Sequence, residues 1–146
     1  VQVFQTSINV REGQSGVIVM TLRDEAGDLV QTAALDGIFL DLYHYAASEA
    51  TVINGRDQQD VLNENGGEFF DTLQTMQDQD GNDVPFNFRF TYTPDDTKFL
   101  GSDAAAHQKE EHIAHFRFTW DNGDKAIGHE VKMNVTNFRR FDPSAT

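Results

Sequence analysis

The sequence predicts an all-β domain, a sandwich or small barrel of about seven to nine short strands spaced roughly 8–12 residues apart. Three observations carry this. Short runs that alternate apolar and polar residues recur from end to end. Clusters of Gly, Asn, Asp and Pro separate the runs. No helical pattern alternates with them, as a parallel-sheet α/β fold would require.

In chain order, the first run lies near Val3 to Val10 and is closed by the turn-rich Arg11-Glu12-Gly13-Gln14-Ser15-Gly16. Val17 to Arg23 is β-branched and ends in Asp24-Glu25-Ala26-Gly27-Asp28, which reads as a hairpin or a corner. In Ile38 to Tyr45, Ile38, Leu40 and Leu42 share one face, while Phe39, Asp41 and Tyr43 share the other. Short edge strands are expected at Val52-Ile53, Val61-Leu62 and Phe69-Phe70.

Phe86 to Tyr92 sets Phe86, Phe88, Phe90 and Tyr92 on one face, with Asn87, Arg89 and Thr91 opposite. His112 to Trp120 and His129 to Asn137, joined by Asp121-Asn122-Gly123-Asp124, form the clearest hairpin. It turns Ala114, Phe116, Phe118 and Trp120 inward, with Val131, Met133 and Val135. Two places suggest one or two short surface helices: a single turn at Thr93 to Thr97, opened by Pro94, and Ser102 to Glu111.

The whole span 1–146 reads as one domain, with 139–146 an extended C-terminal tail. A chain of 146 residues is long enough to bury roughly 70% of its unfolded surface without covalent staples. The absence of cysteine excludes disulfides, thiolate nucleophiles and Cys-based zinc sites. No run of about 18 apolar residues is present, and the first ten residues lack the plan of a signal peptide. With 24 acidic against 11 basic side chains the formal charge is −13. No nucleic acid or membrane partner is therefore expected, because phosphate neutralisation needs clustered Lys and Arg. Arg139-Arg140 is the only basic pair.

Residues able to carry chemistry are scattered. Asp78-Gln79-Asp80-Gly81-Asn82-Asp83 offers the oxygen ligands that Ca²⁺ takes, yet EF-hand spacing puts Arg89 where a bidentate Glu belongs. Asp, Asn and Gly are also ordinary turn residues, so Asp78, Asp80 and Asp83 read as a turn, and no metal or cofactor is expected. His112 and His115 fall on opposite faces of a strand. No nucleophile elbow, phosphate loop or His-Glu-x-x-His motif occurs, so no catalytic residue is assigned and the chain is not read as an enzyme. The off-face row Phe39, Tyr43 and Tyr45 is a candidate contact surface, since aromatics on a solvent-facing sheet mark interfaces. Arg139, Arg140 and Phe141 are candidates for an arm that reaches a neighbouring chain.

Three segments carry a resemblance: Thr21 to Val30 followed by Ala33-Ala34-Leu35-Asp36; Val52 to Asp57 through Val61 to Gly67; and Tyr92 to Asp96 with Glu111 to Trp120 and the closing strand to Phe138. In their order they resemble small tailed-phage structural proteins of immunoglobulin-like fold, similar to the N-terminal domain of baseplate upper proteins. The chain departs from that pattern in an acidic insertion at Met76 to Val84 and a longer Gly101 to Glu110 link. The resemblance implies an immunoglobulin-like antiparallel β-sandwich located in the virion. Its partners would be other virion proteins, either the major capsid protein or tail proteins, and it would form a homo-oligomer such as a trimer. A capsid decoration or cement protein is favoured over a tail or baseplate adaptor, because no fibre or coiled coil is attached. A carbohydrate-binding module is a third reading, with Phe39, Tyr43, Tyr45 and Trp120 as platforms, although Trp120 falls on the inward register.

Overall fold

The computed structural model of the chain describes residues 3–4, 7–46, 49–100 and 109–136. They form two sheets with the apolar core between them. The strands are β1 (Val3–Phe4), β2 (Ser7–Arg11), β3 (Gly16–Thr21), β4 (Leu35–Ala46), β5 (Glu49–Val52), β6 (Gln59–Asp60), β7 (Gly67–Gln77), β8 (Asp83–Tyr92), β9 (Lys109–Trp120) and β10 (Lys125–Thr136). One sheet has the order β1-β3-β8-β7 and the other β2-β10-β9-β4-β5, with β6 also paired to β4.

Period-2 alternation fixes which side chains enter the core. Ile38, Leu40 and Leu42 of β4 are buried with Ala114, Phe116 and Phe118 of β9 and with Val131, Met133 and Val135 of β10. Opposite them stand Ile18 and Met20 of β3 and Phe88 and Phe90 of β8. Phenylalanine rings lock the sheets together edge to face: Phe88 on Phe118 at 5.4 Å and 90°, and Phe90 on Phe116 at 5.4 Å and 66°. Such pairs add roughly 0.5–1.5 kcal/mol each beyond the area they bury.

The β9–β10 hairpin is closed by Asp121, Asn122 and Gly123, all at positive φ, and the Gly123 N–H donates to the Asp36 carboxylate at 2.6 Å. The Asp24 to Asp28 segment is also a tight turn. It is closed by an Asp24 N–H to Asp28 carbonyl bond of 2.9 Å and flanked by the Arg23–Leu29 bridge.

Several expectations are corrected. The first run is two strands in different sheets: β1 pairs with β3, whereas β2 pairs with β10. The β2–β10 pair is parallel, so the sandwich is not wholly antiparallel. Val61-Leu62 is not a strand, because pairing stops at the two-residue β6 and Val61 drops into the core. Phe69-Phe70 lies inside an eleven-residue strand, and the Met76 to Val84 stretch is the end of the β7–β8 hairpin.

Phe86 does not join Phe88 and Phe90 in the core cluster. Asn87, expected to point outward, is fully buried, and its side-chain amide pairs with Leu22 through N–H to Oδ1 at 2.7 Å and Nδ2 to O at 3.0 Å. That amide substitutes for a ladder partner and interrupts the alternation. The Phe86 ring instead packs on Phe70 at 6.0 Å, beside the Arg89 guanidinium. Opposite this break β7 bulges between Phe69 and Gln74. The bulged Asp71 carboxylate accepts the N–H and hydroxyl of Thr32, at 2.6 and 2.7 Å.

Among the described residues the only helical element is the 3₁₀ turn Thr32–Ala34. Thr93 to Thr97 is a single turn, as its Pro94 suggests, closed by the Asp96 N–H to Thr93 carbonyl bond. The expected helix from Ser102 falls largely on 101–108, outside the described residues, and its last members Lys109 to Glu111 begin β9.

Candidate functional site

The outer face of the six-stranded sheet is assembled by register. Across four strands Val52, Tyr43, Ile113 and Lys132 align; Asp41, His115 and Glu130 form the next row, and Asp60, Phe39, Arg117 and Gly128 the third. Phe39 and Tyr43 are half-buried there, and Val52 is 44% exposed, among the few large apolar side chains so open to solvent. The surface therefore carries a small apolar patch, Val52 and Tyr43 over the buried Ile113, bordered by charges of both signs.

Glycine shapes this face at two points. A Cβ on Gly37 would lie 2.7 Å from the Phe39 ring, so the ring is free to fold back along its own strand. A Cβ on Gly128 would sit 3.0 Å from Nε2 of His115. Gln58 covers Asp41, its N–H and side-chain amide both donating to that carboxylate at 2.7 and 2.6 Å. Burial, with the nearby Glu130 and Asp41 carboxylates, pushes the Tyr43 phenol up.

Tyr45 pairs with Ala50 through the backbone in the same register. Its side chain, and Arg139, Arg140 and Phe141, lie outside the described residues. Trp120 is 7% exposed and belongs to the core, so it is no sugar platform.

Asp78, Asp80 and Asp83 stand at the β7–β8 hairpin. Asp78 Oδ1 accepts the N–H groups of Asp80 and Asn82, both at 2.9 Å, and the Gly81 N–H bonds the Asp78 carbonyl. One carboxylate thus holds its own turn, and Asp83 pairs with Gln77 where β8 starts. Among the described residues no group of three His, Asp or Glu is placed to hold a metal ion.

A buried polar network was not found from the sequence. Arg56 and Asp96 form a two-pronged ion pair, Nε to Oδ1 at 2.6 Å and Nη2 to Oδ2 at 3.0 Å, with both side chains essentially excluded from solvent. Asp96 also accepts from Asn54 Nδ2 at 2.9 Å and from the Thr93 N–H and hydroxyl. The guanidinium reaches Gln59 Oε1 and the Asn65 carbonyl, and lies 4.8 Å from the Phe90 ring. Burial alone would raise the Asp96 carboxyl, but these hydrogen bonds and the Arg56 charge outweigh it and hold it below the usual range.

The Asp96 backbone carbonyl faces His112 Nδ1 at 3.0 Å. A carbonyl only accepts, so Nδ1 carries its hydrogen. His112 Nε2 meets Glu110 Oε1 at 2.6 Å, and Glu110 also accepts the Leu100 N–H. Burial pushes Glu110 up, yet its bonds to His112 and Leu100 and the neighbouring imidazoles bring it below the ordinary value. The charged groups bond one another: Arg56 with Asp96, and His112 with Glu110. They clasp the 54–65 loop to the 93–100 segment and the start of β9. Sequence offered one hint: an Arg in a stretch otherwise built of turn residues.

No protein-family model matches the chain, and no curated protein matches it by sequence.

Proposed function

We propose that this chain is a non-enzymatic structural component of a tailed-phage virion, a capsid decoration protein that docks through the outer face of its six-stranded sheet. The observation that carries the docking part is the half-buried Tyr43 beside the exposed Val52, a small apolar patch on a face the fold does not use for its own core. The virion part is supported by the resemblance of the Thr21 to Val30, Val52 to Gly67 and Glu111 to Trp120 segments to small phage structural proteins. An acidic body, with a formal charge of −13, suits a basic partner surface. A non-enzymatic reading is supported by the way Arg56, Asp96, His112 and Glu110 bond one another beneath the surface.

The test is antibody labelling of purified particles by electron microscopy, repeated after mild dissociation to uncover hidden epitopes. Regular label over the heads is the expected result. Label confined to the tail end would move the protein to the baseplate or adaptor position, and no label in either state would overturn the virion reading. On isolated protein, Tyr43→Asp should lower the mass of any oligomer seen by light scattering while leaving the far-ultraviolet spectrum unchanged.

A further inference from the structure

We infer that the hollow above the Arg56–Asp96 pair is a binding site for a neutral polyhydroxylated ligand, a single sugar ring or a polyol of that size. The hollow has a volume of about 320 Å³ and is lined by Asn54, Arg56, Gln59, Asn65, Gly66 and Thr93. That is the small end of ligand pockets.

The argument is a count of hydrogen-bonding capacity. Arg56 has five N–H donors. Four are taken by Asp96 Oδ1, Asp96 Oδ2, Gln59 Oε1 and the Asn65 carbonyl, which leaves one on Nη2 with no oxygen among the described residues. Because a guanidinium only donates, Gln59 must turn its carbonyl toward Arg56, and its Nε2 has no partner among the described residues. Because a carboxylate only accepts, Asn54 must turn Nδ2 toward Asp96 and keep Oδ1 unspent. Asn65 likewise gives Nδ2 to the Asp60 carbonyl. The Thr93 hydroxyl donates to Asp96 Oδ2 at 3.2 Å and retains its lone pairs.

The hollow therefore offers donors from Arg56 and Gln59 beside acceptors from Asn54, Asn65 and Thr93. Each side chain is anchored at one polar end, so the other is held in place before a ligand arrives. Asp96 neutralises Arg56, which removes any advantage for an anion. A hydroxyl group, donor and acceptor at once, matches this set, and several on one ring match it best. Gly66 packs its backbone tightly beside the hollow: at φ +99° a Cβ would lie 2.7 Å from the Thr91 carbonyl oxygen and 3.2 Å from the Phe90 ring. The inference is independent of the virion reading and uses none of the residues on the outer sheet face.

The test is a nitrogen-edited NMR titration of the whole chain with glucose, galactose, mannose, N-acetylglucosamine and glycerol, carried into the tens-of-millimolar range. At least one should shift the side-chain amide signals of Gln59 and Asn54. Gln59→Glu keeps an oxygen facing Arg56 and exchanges the outward donor for a charged carboxylate oxygen, which repels the ligand oxygen that Nε2 would bond, so it should weaken binding about tenfold without lowering the urea midpoint. Gln74→Glu, at an exposed amide on β7, should bind as the parent does. Absence of shifts with all five probes would mean the hollow holds only water, and would overturn the inference. So would shifts that map elsewhere, or undiminished binding by the Gln59 variant.

Discussion

The Arg56–Asp96 clasp gives the sharpest prediction about stability. Asp96→Asn keeps the side-chain shape but leaves the Arg56 guanidinium buried without its counter-charge, and turns one accepting oxygen into a donor that faces Nη2 or Nε. Removing one partner of a buried pair costs about 3–5 kcal/mol. For a domain of this size each kcal/mol lowers the melting temperature by roughly 2–4 °C, so the expected drop is about 6–20 °C. Arg56→Met should cost a similar amount, because Asp96 then faces only Asn54 and Thr93. The double variant should lose less than the sum of the singles by about 2 kcal/mol, since neither charge is left alone. Urea unfolding of the parent, both singles and the double completes the cycle. A single variant within about 1 kcal/mol of the parent, or strict additivity, would refute the view that this pair fastens the 54–65 loop to the 93–100 segment.

Acid should weaken the same region. The folded Asp96 and Glu110 carboxyls are both lowered, so their contribution is fully present above the unfolded carboxylate values near pH 4 and is lost as pH falls through the folded ones. Urea midpoints taken from neutral pH to about pH 3 should decline, and less steeply in Asp96→Asn. Gly67→Ala should be severely destabilised, because its Cβ would fall 1.8 Å from the Val61 carbonyl oxygen. Gly81→Ala, at φ +80° in open space, should cost only about 1–2 kcal/mol for its backbone conformation; equal melting temperatures for the two would contradict this. Phe118→Ala, which removes a ring wedged against Phe88, should lose about 3–5 kcal/mol in the same assay.

Much of the architecture was legible because the core-facing residues of β4, β9 and β10 recur every second position over their central stretches. Ile38, Leu40 and Leu42, or Ala114, Phe116 and Phe118, declare their face by spacing alone. The same rule separated His112, which is buried, from His115, which is not. It failed at Phe86 for a stated reason: Asn87 turns inward to replace a backbone partner for Leu22, and pattern reading has no sign for a side chain acting as main chain. The length of β7 was hidden by its bulge, where Phe70 to Leu73 follow no partner on β8. Pairing direction was invisible as well, since alternation is identical in parallel and antiparallel strands.

The candidate contact row at Phe39 and Tyr43 could be named from one strand, but Val52 and Ile113 join it only through register. Arg56 and Asp96 lie forty residues apart, each among ordinary turn residues, and no local signal ties them. The hollow they underlie was correspondingly absent from the sequence reading.

The parallel pairing of β2 with β10 has a mechanical consequence. Ser7, where β2 begins, lies beside Lys132, and Thr136, where β10 ends, lies beside Arg11. Traction that enters through the chain before Ser7 and leaves after Thr136 pulls these neighbouring strands along their length in opposite directions. The ladder between them is then loaded in shear, with its hydrogen bonds sharing the force instead of parting one after another. Once the two-residue β1–β3 pairing has parted, a domain tethered by those two ends would meet its main resistance at this seam.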